Sequence, residues 1–180
     1  TWENKGRNID FGGETYVWSN HVNFLRFLDL PRRTADCLTL AMLPPTPEVA
    51  AEVAGHGWRI ADPRPVSADM TAYADFIRGS RGEFTVAKDI YVRPMSGWFS
   101  DRSVCYLAAG RPVVTMRTGF DRFYPAGEGL FEFGDEREAL DAFAQIAADY
   151  PRHARAARAH AGEHFASDHV LARLLAGCGL

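Results

Sequence analysis

The feature that most constrains the fold of this chain is a repeated alternation of short apolar runs with longer segments of helical spacing. Strand-like runs occur at residues 38–43, 58–61, 84–87, 112–115 and 129–133, with a weaker candidate at 8–11. Helical spacing covers residues 19–28, 47–55, 69–78, 100–109 and the chain after Asp135. This alternation predicts an α/β, Rossmann-like, doubly wound parallel sheet of about six strands, with C-terminal helices packing back on it.

Composition limits the class of protein and its partners. The 180 residues fit one compact domain, and 47% hydrophobic residues are enough for a sizeable core. A net charge of −3 argues against a nucleic-acid-binding face, and no apolar run is long enough to span a membrane. Three widely spaced cysteines show no metal-ligand spacing, and we expect a cytoplasmic location. The chain begins at Thr1 without a Met, so we expect residues 1–180 to be a single-domain fragment of a longer protein.

The ligand site of such a fold is expected at the carboxyl ends of the parallel strands. The loops to consider are residues 12–18, 44–47, 88–100 and 116–124. The richest of them opens the helix at 100–109 with the small and polar residues Ser96, Gly97, Trp98, Phe99, Ser100, Asp101, Arg102 and Ser103. A helix N-terminus offers free N–H donors to a phosphate, and an arginine adds a bidentate charge. The alternative is an ordinary capped helix whose Arg102 pairs with a surface carboxylate.

This segment resembles the C-terminal domain of the GT-B glycosyltransferases. The resemblance is carried by Gly97-Trp98-Phe99-Ser100 and by the run from Cys105 to Val114, and it continues through Thr118-Gly119-Phe120 and residues 127–130. It is closest to a bacterial group of the superfamily, the spore-maturation type. Two glutamates of the family motif are replaced by Gly97 and Cys105, so either Asp101, Arg102 and Ser103 take over their role or nucleotide binding is altered.

The resemblance implies that the chain is the donor-binding domain of a two-domain enzyme that transfers a sugar from a nucleoside-diphosphate sugar. The loop and helix start at 96–103 would hold the nucleotide, and Thr118, Gly119 and Phe120 would flank the sugar. The reaction implied is metal-independent and uses no cofactor beyond the donor substrate. The acceptor would bind a separate N-terminal domain of the same polypeptide, which is missing here, so the chain alone is expected to be inactive.

Two further segments are candidates for the same site. Lys88 follows a predicted strand at its ligand-facing end and, with Arg102, would stabilise the leaving diphosphate as the catalytic pair. The alternative interpretation of Lys88 is a surface lysine paired with Asp89 or Glu83. Gly12, Gly13 and Glu14 follow the first predicted strand, where a glycine pair would let the backbone approach a diphosphate. The alternative interpretation of this segment is a tight strand-to-helix turn that only needs flexible φ angles.

Other functions remain open on the residues alone. The rival from a different class is a non-catalytic domain that binds sugar nucleotides or another protein, and the replaced glutamates favour it. An epimerase of the same fold would need a carboxylate and histidine set that the sequence does not show. His160 and His164 have the i,i+4 spacing of metal ligands but no third ligand, and they predict a solvated helix face.

Overall fold

The computed structural model describes residue 6, residues 8–44 and residues 46–179. The strands are β1 (Ile9–Phe11), β2 (Glu14–Tyr16), β3 (Thr39–Ala41), β4 (Arg59–Ala61), β5 (Glu83–Thr85), β6 (Val113–Met116) and β7 (Leu130–Phe133). The helices are α1 (His21–Phe24), α2 (Pro47–Gly55), α3 (Pro63–Val66), α4 (Met70–Gly79), α5 (Asp89–Val92), α6 (Asp101–Ala108), α7 (Glu136–Ala148), α8 (Tyr150–Phe165) and α9 (Ser167–Gly177). The expected Rossmann-like α/β architecture is confirmed.

Five of the strands are parallel and form two separate sheets. β5, β6 and β7 make a three-stranded sheet in that order, with Phe84, Val114 and Phe131 in register across it. β3 and β4 form a separate parallel pair, with Leu40 opposite Ile60. Both parallel sheets contribute residues to one hydrophobic core, so they belong to the same folded unit.

The three-stranded sheet is covered on both faces, as its sequence requires. Neighbouring residues of a strand point to opposite faces, and Val113 packs against α6 and α8 whereas Val114 packs against α7. In β7, Leu130 likewise packs on the face covered by α6 and α8, whereas Phe131 packs on the face covered by α7. The C-terminal helices α7 and α8 pack back on the sheet as expected, while α9 buries none of its own residues.

The first predicted strand is not part of the parallel sheet. β1 pairs antiparallel with β2 in a hairpin, with Ile9 opposite Tyr16, so the expected single sheet of about six parallel strands is wrong at this end. Gly12 and Gly13 form the hairpin turn with φ values of +62° and +81°. Such a pair of positive φ angles suits a two-residue hairpin and glycine adopts it without strain. The turn therefore joins two strands, not a strand and a helix.

The predicted helix at 19–28 is shorter than expected, because α1 passes into a 3₁₀ turn at Leu25–Phe27. The sequence analysis also missed two one-turn helices, α3 and α5. The first begins just after Asp62, whose carboxylate accepts a hydrogen bond from the Arg64 amide at 2.9 Å.

A gap separates β3 from β5. The two strands share no ladder in the described part of the chain, although residues of both line the same two cavities. The cavity on the α7 face measures about 500 Å³, and Phe143 and Ile146 of α7 are part of its lining. The cavity on the α4 and α6 face measures about 360 Å³. The sheet is therefore open along its middle, between its two parallel halves.

Candidate functional site

Two loops meet at the carboxyl ends of β5 and β6. The Gly97 amide donates to the Thr118 carbonyl at 2.7 Å, and the Thr118 hydroxyl donates to the Trp98 carbonyl at 2.5 Å. Thr118 is 1% exposed, so both hydrogen bonds are shielded from water. Arg122 adds a hydrogen bond to the Gly119 carbonyl at 3.0 Å. The structure thus brings together the two loops that the sequence analysis assigned to one site, and we call them the loop junction.

Aromatic side chains hold this loop junction against the rest of the domain. Trp98 stacks on Tyr91, with ring centroids 4.9 Å apart and an interplanar angle of 7°. Phe99 turns the other way and packs against Phe120 and Phe165. Phe120 is fully buried and Phe99 is partly buried against the α6 and α8 core, so these two side chains anchor the loops to that core.

The start of α6 emerges from the loop junction with part of its backbone unsatisfied. Its N-cap residue Ser100 makes no capping hydrogen bond with its side chain, unlike the N-cap residues of α2, α4, α7 and α8. The Asp101 carboxylate accepts from the Arg102 amide at 2.8 Å. The amides of Asp101 and Ser103 have no acceptor among the described residues. These donors, with the positive end of the helix dipole, form a local environment that favours an anion.

Arg102 points away from the helix start and back along β5. Its Nε donates to the carboxylate of Glu83, and its Nη2 donates to the Thr85 hydroxyl at 2.6 Å. Burial acts to lower the pKa of Arg102, but the charge and hydrogen bond of Glu83 outweigh it and raise that pKa above the ordinary value. The pairing that the sequence analysis kept as an alternative is therefore present, except that the carboxylate is buried and does not lie on the surface.

Glu83 is the residue of this region that the sequence analysis did not recognise as important. Its side chain is 5% exposed and its Oε1 pairs with Arg102, whereas its Oε2 has no hydrogen-bond partner within the described part of the chain. A carboxylate is rarely buried unless it is paired, and here only one of its two oxygens is satisfied. The sequence signal that could have revealed it is a charged residue beginning an apolar strand.

The cavity on the α4 and α6 face of the gap collects these groups. Glu83, Thr85 and Arg102 line it together with the phenols of Tyr73 and Tyr106. Burial raises the pKa of Tyr106, and burial likewise raises that of Tyr73, so both hydroxyls stay protonated at neutral pH. Residues 96–101 and 118–120 are not part of this lining, so the cavity and the loop junction are separate features that Arg102 connects.

Lys88 lies between the end of β5 and the start of α5. Its Nζ is 4.0 Å from the ring centroid of Trp18 and 5.8 Å from that of Tyr91, the residue that stacks on Trp98. No carboxylate pairs with it among the described residues, so its predicted alternative, a salt bridge to Asp89 or Glu83, is not formed. Asp89 instead accepts from the Val17 amide at 3.0 Å and pairs with Arg93.

The glycine hairpin lies on the surface, and its turn connects β1 with β2. Gly12 and Gly13 are exposed, and a Cβ added at either would meet nothing within 4 Å. Glu14 pairs with Arg93, which also donates to the Thr15 carbonyl at 2.9 Å and so fastens the hairpin to α5. The feature that positions these three residues is the hairpin turn and not a strand-to-helix loop.

The histidines of the C-terminal helices have mixed environments. His153 is buried and accepts from the Gly129 amide at 3.3 Å, so its role is structural. His160 and His164 are half-buried with ring centroids 5.6 Å apart, so the expected fully solvated face is wrong. Across the described residues, no group of three or more His, Cys, Asp or Glu side chains is arranged to hold a metal ion.

The fold defines the class of the domain, a Rossmann-like α/β unit in which two loops meet at one sheet edge. The sequence model of a family described as glycosyl transferase-like matches residues 32–176, well over half of the chain. The chain therefore belongs to this glycosyl transferase-like family and is a glycosyltransferase domain. The matched range includes Lys88, Arg102 and Thr118 and begins after the glycine hairpin.

No curated protein sequence matches the chain. Within the described part of the chain, none of the helices combines the length and the apolar character that crossing a bilayer requires.

Proposed function

We propose that this domain binds the donor of a glycosyl transfer, a nucleoside-diphosphate sugar, with the diphosphate at the start of α6. The observation that carries the proposal is the loop junction, which places two unsatisfied amides of α6 at the carboxyl ends of β5 and β6. Ligands of doubly wound sheets bind at this edge, and helix N-termini bind phosphates. Family membership supports the reaction class, and the helix start supports the chemical group that is bound.

Lys88 is the cation of the proposed site. No carboxylate of the described residues pairs with it, and it lies against Trp18 and Tyr91, the second of which stacks on Trp98 of the loop junction. Its charge is therefore available to a diphosphate. The interaction between the Lys88 ammonium group and the diphosphate would strengthen as negative charge develops on the leaving group. It would therefore lower the activation barrier of glycosyl transfer without a metal ion. Arg102 contributes less than the sequence predicted, because Glu83 already neutralises it.

Binding is tested by isothermal titration calorimetry of the chain with UDP-glucose, GDP-mannose, ADP-glucose and TDP-glucose. We expect one of them to bind with a dissociation constant in the micromolar range. Lys88→Met keeps the apolar stem over Trp18 but removes a charge-assisted contact, so it should weaken that binding about tenfold, or about 1.4 kcal/mol. Arg155→Met is the matched control, because Arg155 is an exposed arginine of α8 whose side chain forms no hydrogen bond or ion pair with another described residue.

Two results contradict the proposal. One is that none of the four nucleotide sugars binds at millimolar concentration, which favours the non-catalytic interaction domain. The other is that Lys88→Met and Arg155→Met bind the donor equally well, which places the diphosphate elsewhere.

We further propose that the acceptor binds a second domain and that this chain alone does not turn over. The described residues form one α/β unit, and a reaction between two substrates needs both of them held against each other. Release of free nucleoside diphosphate by the 180-residue chain, at the rate of a longer parent protein, would contradict this.

A further inference from the structure

The 360 Å³ cavity between β3 and β5, here called the gap cavity, has polar groups that the loop junction does not use. Its volume falls in the usual range for small-molecule sites, about 300–1,000 Å³. Apolar walls come from the strands and from the rings of Tyr73 and Tyr106. The charged and amide side chains of the lining are Glu83, Arg102 and Asn20, and His21, Thr39, Ser67 and Thr85 add further polar groups. Mostly apolar walls with a few polar groups are typical of a site that orients a small molecule.

Two acceptors of this lining are buried and receive no hydrogen bond from any residue that the structure describes. Glu83 Oε2 belongs to a side chain that is 5% exposed, and Asn20 Oδ1 is buried in the same way. Leaving a buried acceptor unpaired costs about 1–3 kcal/mol, and more for a charged one. A molecule that donates hydrogen bonds to both would remove this cost, so the lining selects for a donor-rich ligand.

The charge of the gap cavity narrows the ligand class. Glu83 and Arg102 form an ion pair with no net charge, so the net charge of these two side chains favours neither a cation nor an anion. The diphosphate bridge of a nucleotide sugar has no hydrogen to give to Glu83 Oε2, and its negative charge would lie beside the carboxylate. Neutral hydroxyl groups on a compact ring can donate to both acceptors and still contact the tyrosine rings.

We infer that the gap cavity binds the hydroxyl-bearing ring of the donor molecule, a pentose or hexose, through hydrogen bonds to Glu83 and Asn20. This inference rests on the proposed function, because it assigns one part of the same nucleotide sugar to this cavity. Arg102 lies on the first turn of α6 and lines the cavity, so it connects the diphosphate position with the ring position. Glu83 and Asn20 are then binding residues, although neither belongs to the loops at the sheet edge.

The test compares ligands with and without the ring on the wild-type chain and on Glu83→Gln. The probes are inorganic pyrophosphate, the nucleoside diphosphate of the best-bound base and its nucleotide sugar, each measured by calorimetry. Glu83→Gln replaces the carboxylate by an amide of the same size. It should weaken the ring-bearing ligands at least tenfold, whereas pyrophosphate should bind at least as tightly as it does to the wild type, because Arg102 is released from its ion pair. Glu52→Gln, at an exposed carboxylate of α2, is the matched control.

The pattern of losses identifies which ring enters the cavity. Equal weakening of the nucleoside diphosphate and the nucleotide sugar assigns the cavity to the ribose, whereas weakening of the nucleotide sugar alone assigns it to the transferred sugar. Asn20→Ala removes the second acceptor and should reproduce the same pattern, which provides the comparison if Glu83→Gln does not fold.

Other outcomes overturn the inference and are distinguishable from a failure of the proposed function. If the nucleotide sugar binds but Glu83→Gln and Asn20→Ala bind it as well as the wild type does, the ring lies elsewhere and only the inference fails. If the wild type binds no nucleotide, the proposed function fails. Methyl riboside and methyl glucoside then test the cavity alone, by chemical-shift changes at residues 73, 83 and 106. No change at these positions overturns the inference as well.

Discussion

Replacing Arg102 by methionine should destabilise the domain, because it leaves the Glu83 carboxylate inside the gap cavity without its counter-charge. Breaking a buried ion pair at one partner costs about 3–5 kcal/mol, whereas exposed pairs contribute only about 0–1 kcal/mol. Glu83 is 5% exposed but Arg102 is 47% exposed, so water already screens part of the interaction. We therefore expect a loss of about 2 kcal/mol in the free energy of unfolding, between the two limits.

The measurement is urea denaturation followed by circular dichroism at pH 7, on a double-mutant cycle of Arg102→Met and Glu83→Gln. Each single change leaves one partner of the pair unsatisfied, whereas the double variant removes both charges. The double variant should therefore be more stable than the sum of the single losses predicts, with a coupling of about 1–3 kcal/mol. Arg155→Met again controls for the loss of an arginine that makes no contact of this kind.

Two results would refute this reasoning. If the single losses add to within about 0.5 kcal/mol, the two side chains are not coupled in solution. If Arg102→Met is no more destabilising than Arg155→Met, Glu83 does not depend on Arg102. In either case Arg102 would be available to a diphosphate, as the sequence originally predicted.

Three further changes test other parts of the structure. Thr118→Val should lower the free energy of unfolding by about 1 kcal/mol, as measured with urea, because it removes one buried hydrogen bond of the loop junction, and Thr118→Ser should restore it. Gly129→Ala should cost about 3 kcal/mol in thermal unfolding, since φ is +71° and the new Cβ would lie 2.3 Å from the α8 backbone; Gly127→Ala, also at positive φ but in open space, should cost less. Burial and the neighbouring His164 lower the pKa of His160 from its usual 6.5, so the unfolded chain binds the proton more readily. Stability should therefore fall as the pH drops below about 6.5, and the urea midpoints of His160→Gln at pH 7.5 and 5.5 should differ less than those of the wild type.

Local signals in the sequence were sufficient for most of the secondary structure. The bounds of α2 were predicted correctly, because Pro47 suits a first helical turn and Gly55 suits a helix end. The parallel strands were located to within about two residues, since an apolar run bounded by turn residues has few alternatives. β2 was missed because Glu14-Thr15-Tyr16 contains no apolar run and becomes a strand only by pairing with β1.

The candidate site was only partly predictable for a different physical reason. The contact between the loops at 96–100 and 118–120 follows from topology, because consecutive parallel strands end at one sheet edge. The pairing of Arg102 with Glu83 depends on how far a side chain reaches from α6 to the neighbouring strand, which spacing along the chain does not encode. The sequence analysis left open whether Arg102 faces a ligand or a carboxylate, and only coordinates distinguish the two.

The gap between β3 and β5 also has a consequence for how the backbone exchanges its hydrogens with solvent. The central strands of a continuous sheet are usually the slowest to exchange, because both of their edges are protected. Here β6 has a neighbour on each side, whereas β5 is bonded along one edge only. In heavy water the amides of β5 that face the gap should therefore take up deuterium as quickly as those of an outer strand, long before any amide of β6.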